Sequence, residues 1–155
     1  MSGWVLLAYR IPREPSRPRI AVWRKLERLG VARLGDGLVA LPADARTREQ
    51  FDWVAEEIVE ADGSATVWLA DPATAEQEQQ IAAGMQEARA AEYRAVADEA
   101  VAARGGTDAE RGRVLRRLRA ELHRIGKRDF FPPAERERAR AAVEELTTVT
   151  DREHA

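Results

Sequence analysis

A chain of 155 residues without a single cysteine excludes disulfide staples, thiolate metal sites and thiol nucleophiles, yet is long enough to bury most of its apolar surface in one domain, or one domain with an appendage. The formal net charge of -2 hides a division: residues 1–46 carry nine Arg or Lys against four acids, residues 47–110 carry four against fifteen, and residues 111–155 carry twelve against eight. With no charged leader ahead of an apolar core and no apolar run near ~18 residues, the chain is expected in the cytoplasm, with no membrane partner.

Residues 4–9 form an apolar run of the length of a strand buried on both faces. Pro12, Pro15 and Pro18 make residues 11–17 a stiff loop, and Ser16 is expected to cap a helix over 19–29. In that helix Val22, Trp23, Leu26 and Leu29 share one face and Arg17, Arg24 and Arg28 the opposite one, before Gly30. A strand at Val31–Gly35, the turn Asp36-Gly37 and a return strand at Leu38–Leu41 read as a hairpin stopped by Pro42. From Thr47 a second helix carries Phe51, Val54, Ala55, Ile58 and Ala61 at core spacing, with Glu49, Asp52, Glu56 and Glu60 outside. Ala65–Ala70 is the fourth strand. The order βαββαβ predicts the ferredoxin-like arrangement, with the first and third strands central and both helices on one face.

After Asp71-Pro72 only helical patterns follow. Thr74 to Gln77 reads as a capping box for a helix reaching about Arg104, with a weak stripe through Ile81, Met85, Ala88, Val96 and Ala100. After Gly105-Gly106, a second box at Thr107–Glu110 opens a helix with Val114, Leu115, Leu118, Leu122 and Ile125 on one face. Arg111, Arg113, Arg116, Arg117, Arg119 and Arg124 are expected to cover the rest, and Gly126 to stop it. Asp129-Phe130-Phe131-Pro132-Pro133 reads as an intramolecular plug before a last helix, about 134–147. Trp4, Trp23 and Trp68 are expected on core faces. Trp53 falls on the acidic face of its helix, where docking of the helical half is favoured over contact with a partner.

His123 and His154 have no second ligand at metal spacing, and Ser2, Ser16 and Ser64 lie in no nucleophile motif, so no catalytic residue, metal or cofactor is expected. The concentrated signal is Arg10, Arg13, Arg17, Arg19, Arg24, Lys25 and Arg28, within one strand end, one loop and one helix. Guanidinium forks match phosphate and other tetrahedral oxyanions, and a helix N-terminus adds partial positive charge. Three readings stay open: an anion or nucleic-acid contact, a solvated face with Arg19 or Arg24 paired to Glu14 or Glu27, and docking onto the acidic helix or tail.

The blocks Trp4–Ser16 and Val22–Gly30 resemble the N-terminal domain of the ChrB chromate-resistance regulators. Asp36-Gly37 with Leu41-Pro42, the Glu92-Tyr93 pair and Arg128-Asp129-Phe130-Phe131 sit where that family has similar signatures, so the resemblance covers nearly the whole chain. It implies a chromate-responsive regulatory role, in which the N-terminal half is the proposed DNA-binding part. The full-length pattern continues into a C-terminal domain that this sequence is expected to lack. The strand–loop–helix start also resembles the ferredoxin-like core of CRISPR-associated small nucleases and of phenylacetate-operon repressors. Those nucleases carry a metal-binding aspartate after an aromatic at the end of the first strand. Here Tyr9 is followed by Arg10, which cannot hold Mg²⁺ and suits holding phosphate instead of cutting it.

The expectation is thus an α+β protein with a ferredoxin-like domain at 1–72, a helical appendage at 73–149 packed on it, and a frayed tail at 150–155. Its expected role is non-enzymatic regulation of chromate resistance, binding DNA or a chromate-like oxyanion through the seven basic residues. The alternative is a protein-interaction or oligomerisation module, a homodimer in which the acidic second helix meets a basic face of another copy.

Overall fold

Strand β1 (Trp4–Arg10) is the axis of the first half, because it is hydrogen-bonded along both edges. In the computed structural model, which describes residues 3–154 and of 148–154 the backbone alone, helix α1 spans Ser16–Leu29, β2 Ala32–Gly35, β3 Leu38–Pro42, α2 Ala45–Glu60 and β4 Ser64–Ala70. Three helices follow, α3 (Ala75–Ala103), α4 (Asp108–Lys127) and α5 (Glu135–His154). The expected tail at 150–155 falls outside the residues whose side chains are described. The chain divides into two compact units, one ending at Ala82 and the other beginning at Ala83.

The sheet order is β2-β3-β1-β4, all antiparallel, which is the ferredoxin-like topology expected from βαββαβ. Strand alternation sorts the side chains. Val5 lies opposite Leu41 and Leu69, and Leu7 opposite Val39 and Val67, so these six share one face. Val5, Leu7, Val39 and Leu41 are buried, as are Val22 and Leu26 of α1 and Phe51, Val54 and Ile58 of α2. That is the core beneath the helices, where each large side chain contributes about 1.5–3 kcal/mol of burial.

In the first unit the local signals differ from expectation at both helix starts and at Trp68. Ser16 does not cap α1: the helix already starts at Ser16, Pro15 holds the N-cap position in extended conformation, and the first turn has no side-chain cap. Helix α2 begins at Ala45, before Thr47, because Asp44 and Thr47 form a reciprocal capping box. The Thr47 hydroxyl also donates to Pro42 O at 2.7 Å, which anchors the helix start to the end of β3. Trp68, expected in the core, is 57% exposed, since its parity on β4 puts it on the face away from α1 and α2.

The turn from α2 into β4 is tight. Asp62 adopts a left-handed φ of 65°, and Gly63 follows against the carbonyl of Arg10. A methyl group on Gly63 would meet that carbonyl and stand 2.7 Å from Ile58 Cγ2.

In the second unit, Tyr93, Val96 and Ala100 of α3, Leu118 and Ile125 of α4, and Ala139, Val143 and Leu146 of α5 form one buried cluster. Thr107 and Glu110 make both halves of the second capping box. Helix α4 runs through Gly126 to Lys127, so that glycine does not end it. The buried stripe of α3 is Met85, Arg89, Tyr93, Val96 and Ala100; Ala88, expected in it, is exposed. Arg111 is also buried, donating to Gly106 O, to Asp108 and, at 3.4 Å, to Arg104 O. It closes the α3–α4 turn and does not cover the outer face.

A polar network lies at the α3 end of this cluster. The Tyr93 hydroxyl donates to Asp129 Oδ2 at 2.7 Å, and Arg128 grips Glu92 Oε2 through Nε and Nη2 at 3.2 and 3.0 Å. Arg89 donates to Glu92 at 3.0 Å and to Arg128 O at 3.4 Å. Phe130 and Phe131 are half-buried and Pro133 is buried, in keeping with a plug. Burial first, and the hydrogen bond to the Asp129 carboxylate second, push the Tyr93 hydroxyl above its ordinary value of 10.0.

Gly63→Ala is expected to destabilise the protein by about 1–3 kcal/mol through overpacking against fixed backbone. Gly84→Ala, in open space on α3, should stabilise it by about 1 kcal/mol, and urea-unfolding midpoints of the two variants check both signs. Tyr93→Phe removes a hydrogen bond to a buried carboxylate and should cost about 1.5–3 kcal/mol at neutral pH. Because the folded pKa of Tyr93 is raised, its contribution is complete below the unfolded value of 10.0 and is lost as pH rises beyond it. Wild-type stability should therefore fall more steeply above pH 10 than that of Tyr93→Phe, as read by unfolding midpoints across that range; parallel curves would refute this role.

Candidate functional site

Helix α1 presents two faces because its apolar residues recur at helical spacing. Val22 and Leu26 are buried against the sheet, and Trp23 and Leu29 are half-buried beside them. At about 100° per residue, Arg17, Arg24 and Arg28 fall in one stripe directly opposite Leu26. All three are exposed, as are Arg10, Arg13, Arg19 and Lys25.

The seven expected residues do not form one uniform surface. Arg17, Arg24 and Arg28 line the outer stripe of α1, Arg19 lies in its first turn, and Arg13 is in the loop before it. Arg10 closes β1 on the parity of Leu6 and Ala8, the sheet face away from α1. Lys25 points toward α2 and pairs with Glu57 at 2.7 Å, tying the two helices together. Among the described residues none of the six arginines has an ion-pair partner, and neither Glu14 nor Glu27 is paired with Arg19 or Arg24. Arg33, on β2, stacks over the Trp23 ring at 5.5 Å from its centroid and pairs with Asp36 at 2.7 Å, which occupies it elsewhere.

The first turn of α1 contains no acid and no side-chain cap. Its N–H groups therefore add partial positive charge beside Arg13, Arg17 and Arg19 without a local counter-charge in the helix. Next to Arg10, the Tyr9 hydroxyl is pushed above its ordinary value, by burial first, with the Arg33 charge opposing it.

Arginine is used differently in the second unit. Arg94 holds Glu87 and Glu135 at 2.7 and 3.0 Å, Arg117 holds Glu99 at 2.7 Å, Arg119 holds Glu144 at 3.1 Å, and Arg104 holds Glu145. Apart from Arg94–Glu87, which lies within α3, these pairs join different helices or the turn after α3, while Arg113, Arg116 and Arg138 are exposed with no ion-pair partner among the described residues. The Glu92-Tyr93 and Arg128-Asp129 blocks meet in the network described above, a pairing that hydropathy could not reveal because it runs through charged residues 36 positions apart. Their adjacency in two short polar blocks was the one available signal.

Among the described residues, no three His, Asp or Glu side chains gather in a way that could hold a metal ion, and His123 is exposed. The side chain of His154 lies outside the described residues. Among the described residues, no helix is long and apolar enough to cross a membrane. Trp53, on the acidic face of α2, is 62% exposed.

No match to the chain is found among curated proteins or among solved structures. A family model described as "Protein ChrB, N-terminal" matches residues 19–105, from the first turn of α1 through the end of α3. That segment holds the basic helix from Arg19, strands β2 to β4, the acidic helix and the Glu92-Tyr93 pair, and it exceeds half of the 155 residues; the chain belongs to the ChrB N-terminal family.

Proposed function

We propose that this chain is a non-enzymatic regulatory protein of chromate resistance that holds the phosphate backbone of DNA, or a chromate-like oxyanion, against the arginines of α1. Family membership associates it with chromate resistance in a regulatory role. The observation that carries the binding reading is the set of exposed arginines without carboxylate partners, Arg17, Arg24 and Arg28 in one stripe and Arg13 and Arg19 at the helix start, in a chain that pairs many of its other arginines.

The spacing of the stripe favours an extended polyanion. From Arg17 to Arg28 is eleven residues, or roughly 16 Å at 1.5 Å per residue. One tetrahedral oxyanion cannot touch all three guanidiniums, whereas successive phosphates can. A single oxyanion suits the first turn instead, where Arg13, Arg17 and Arg19 adjoin free helical N–H groups. Phosphate contacts position a protein without reading sequence, so this surface supplies affinity and register.

The test is fluorescence anisotropy with promoter DNA over a range of salt. Each phosphate neutralised contributes about 0.9 to the slope of log affinity against log salt. The triple variant Arg17→Ala, Arg24→Ala, Arg28→Ala is therefore expected to flatten that slope by about 2–3 and to weaken binding at low salt. Lys25→Ala, already paired with Glu57, should change it far less. Titration with chromate and with sulfate separates the ligands: DNA binding unaltered by the triple variant removes the stripe as the site. Oxyanion binding abolished by Arg13→Ala with Arg19→Ala assigns the first turn instead.

A further inference from the structure

The two edges of the sheet are built differently. The outer strand β2 is short, shifts register between Arg33 and Gly35, and carries the charge of Arg33. Bulges and charges of this kind discourage a further strand from adding. The other edge, β4, reads Ser-Ala-Thr-Val-Trp-Leu-Ala, without a charge or a proline. It pairs with β1 without interruption from Arg10↔Ser64 to Trp4↔Ala70, so its other side is a regular row of backbone donors and acceptors.

Large exposed apolar side chains gather along this edge. Trp68 is 57% and Leu69 51% exposed, and they leave β4 on opposite faces. Trp68 lies back along its own strand, with its indole N–H donating to Thr66 Oγ1 at 2.8 Å. Leu69 is on the helix-covered face, opposite Val5. On α2, Val59 is 58% exposed. By helical spacing it lies on the flank away from Glu57, the residue that reaches toward α1, and so overhangs the β4 edge.

We propose that the β4 edge is joined by β4 of a second copy of this chain, antiparallel, about a two-fold axis through Val67. An isologous contact must be self-complementary, and this strand is. Centring on Val67 sets Trp68 opposite Thr66 of the other copy, Leu69 opposite Ala65, and Ala70 opposite Ser64. Each large side chain thus meets a small one, and no charge meets its like along the strand. The turn Asp62-Gly63 places Ala65 at the C-terminal end of α2, so Leu69 of one copy arrives at the end where Val59 of the other is exposed. The two sheets become one of eight strands.

This geometry has an electrostatic signature. It brings the two α2 helices alongside each other, each carrying Asp52 and Glu56 near the shared flank, so like charges oppose association and added salt strengthens it. A dimer built by the α1 arginines on the acids of α2 would behave in the opposite way. The surface is also separate from the α1 stripe, so this proposal stands or falls independently of DNA binding.

The chain has no cysteine, so one introduced thiol reports cleanly. Residues on a two-fold axis between antiparallel strands have Cα atoms about 4.5–5.5 Å apart, within disulfide range. Under mild oxidation Val67→Cys is expected to form a covalent dimer, and Leu34→Cys, on the guarded β2 edge, is not. Light scattering over a concentration series should show wild type approaching twice 17.3 kDa, more so at high salt. Leu69→Lys, with an unchanged circular dichroism spectrum, should raise the dissociation constant at least about tenfold. A wild-type chain that stays monomeric at every concentration and salt overturns the proposal. So does a dimer that salt weakens and Leu69→Lys leaves intact, and so does equal crosslinking at positions 34 and 67.

Discussion

Everything in the first unit depends on β1 being bonded on both sides while one of its faces is sealed by helices. Val5 and Leu7 have no access to solvent, and their cross-strand partners in β3 and β4 share that face. Because the strand is central, it fixes where α1 and α2 rest, and because α1 must bury Val22 and Leu26, its opposite side is forced outward. The arginine stripe is therefore a consequence of core packing: no other orientation of α1 satisfies its apolar residues. Even the tight Asp62-Gly63 turn serves β1, since Gly63 fits against the Arg10 carbonyl only without a side chain.

The same residue type does two jobs in one chain. In the second unit Arg89 and Arg128 are largely buried, and their charge is balanced by Glu92, which pairs with both, while Arg89 also donates to the Arg128 carbonyl and keeps its Nε without a partner. Of the exposed arginines there, Arg94, Arg104, Arg117 and Arg119 pair with a carboxylate of another helix, each pair contributing little by itself, while Arg113, Arg116 and Arg138 have no ion-pair partner among the described residues. On α1 the arginines face water without carboxylate partners among the described residues. What sets α1 apart is the alignment of Arg17, Arg24 and Arg28 in one stripe beside an uncapped helix start.

The two edges of the sheet show a similar contrast. One is interrupted and charged, while the other is regular and apolar. A basic helix on one side of the sheet and an open strand edge on the other side would let one copy meet an anion and a second copy at once, without competition for the same residues.

Local spacing determined the βαββαβ order, the Asp36-Gly37 hairpin, the Arg17, Arg24 and Arg28 stripe and the capping box at Thr107, because each is set within one element or one turn, and the central placement of β1 and β3 followed from the topology that this order implies. What the tertiary structure decided were pairings between distant positions. Arg89 and Tyr93 stood outside the expected α3 stripe, since hydropathy excludes arginine from a core unless its partners are known; Arg128 reaches Glu92, and Asp129 reaches Tyr93, only on folding. Lys25 read as one more basic residue until α2 brought Glu57 to it. Trp68 read as core because a tryptophan in a strand usually packs; its exposure follows from its place on the edge strand β4 together with its parity, on the face away from α1 and α2. Local spacing fixes which face a side chain takes, and only the neighbours brought by the fold determine whether that face is covered, paired or left open.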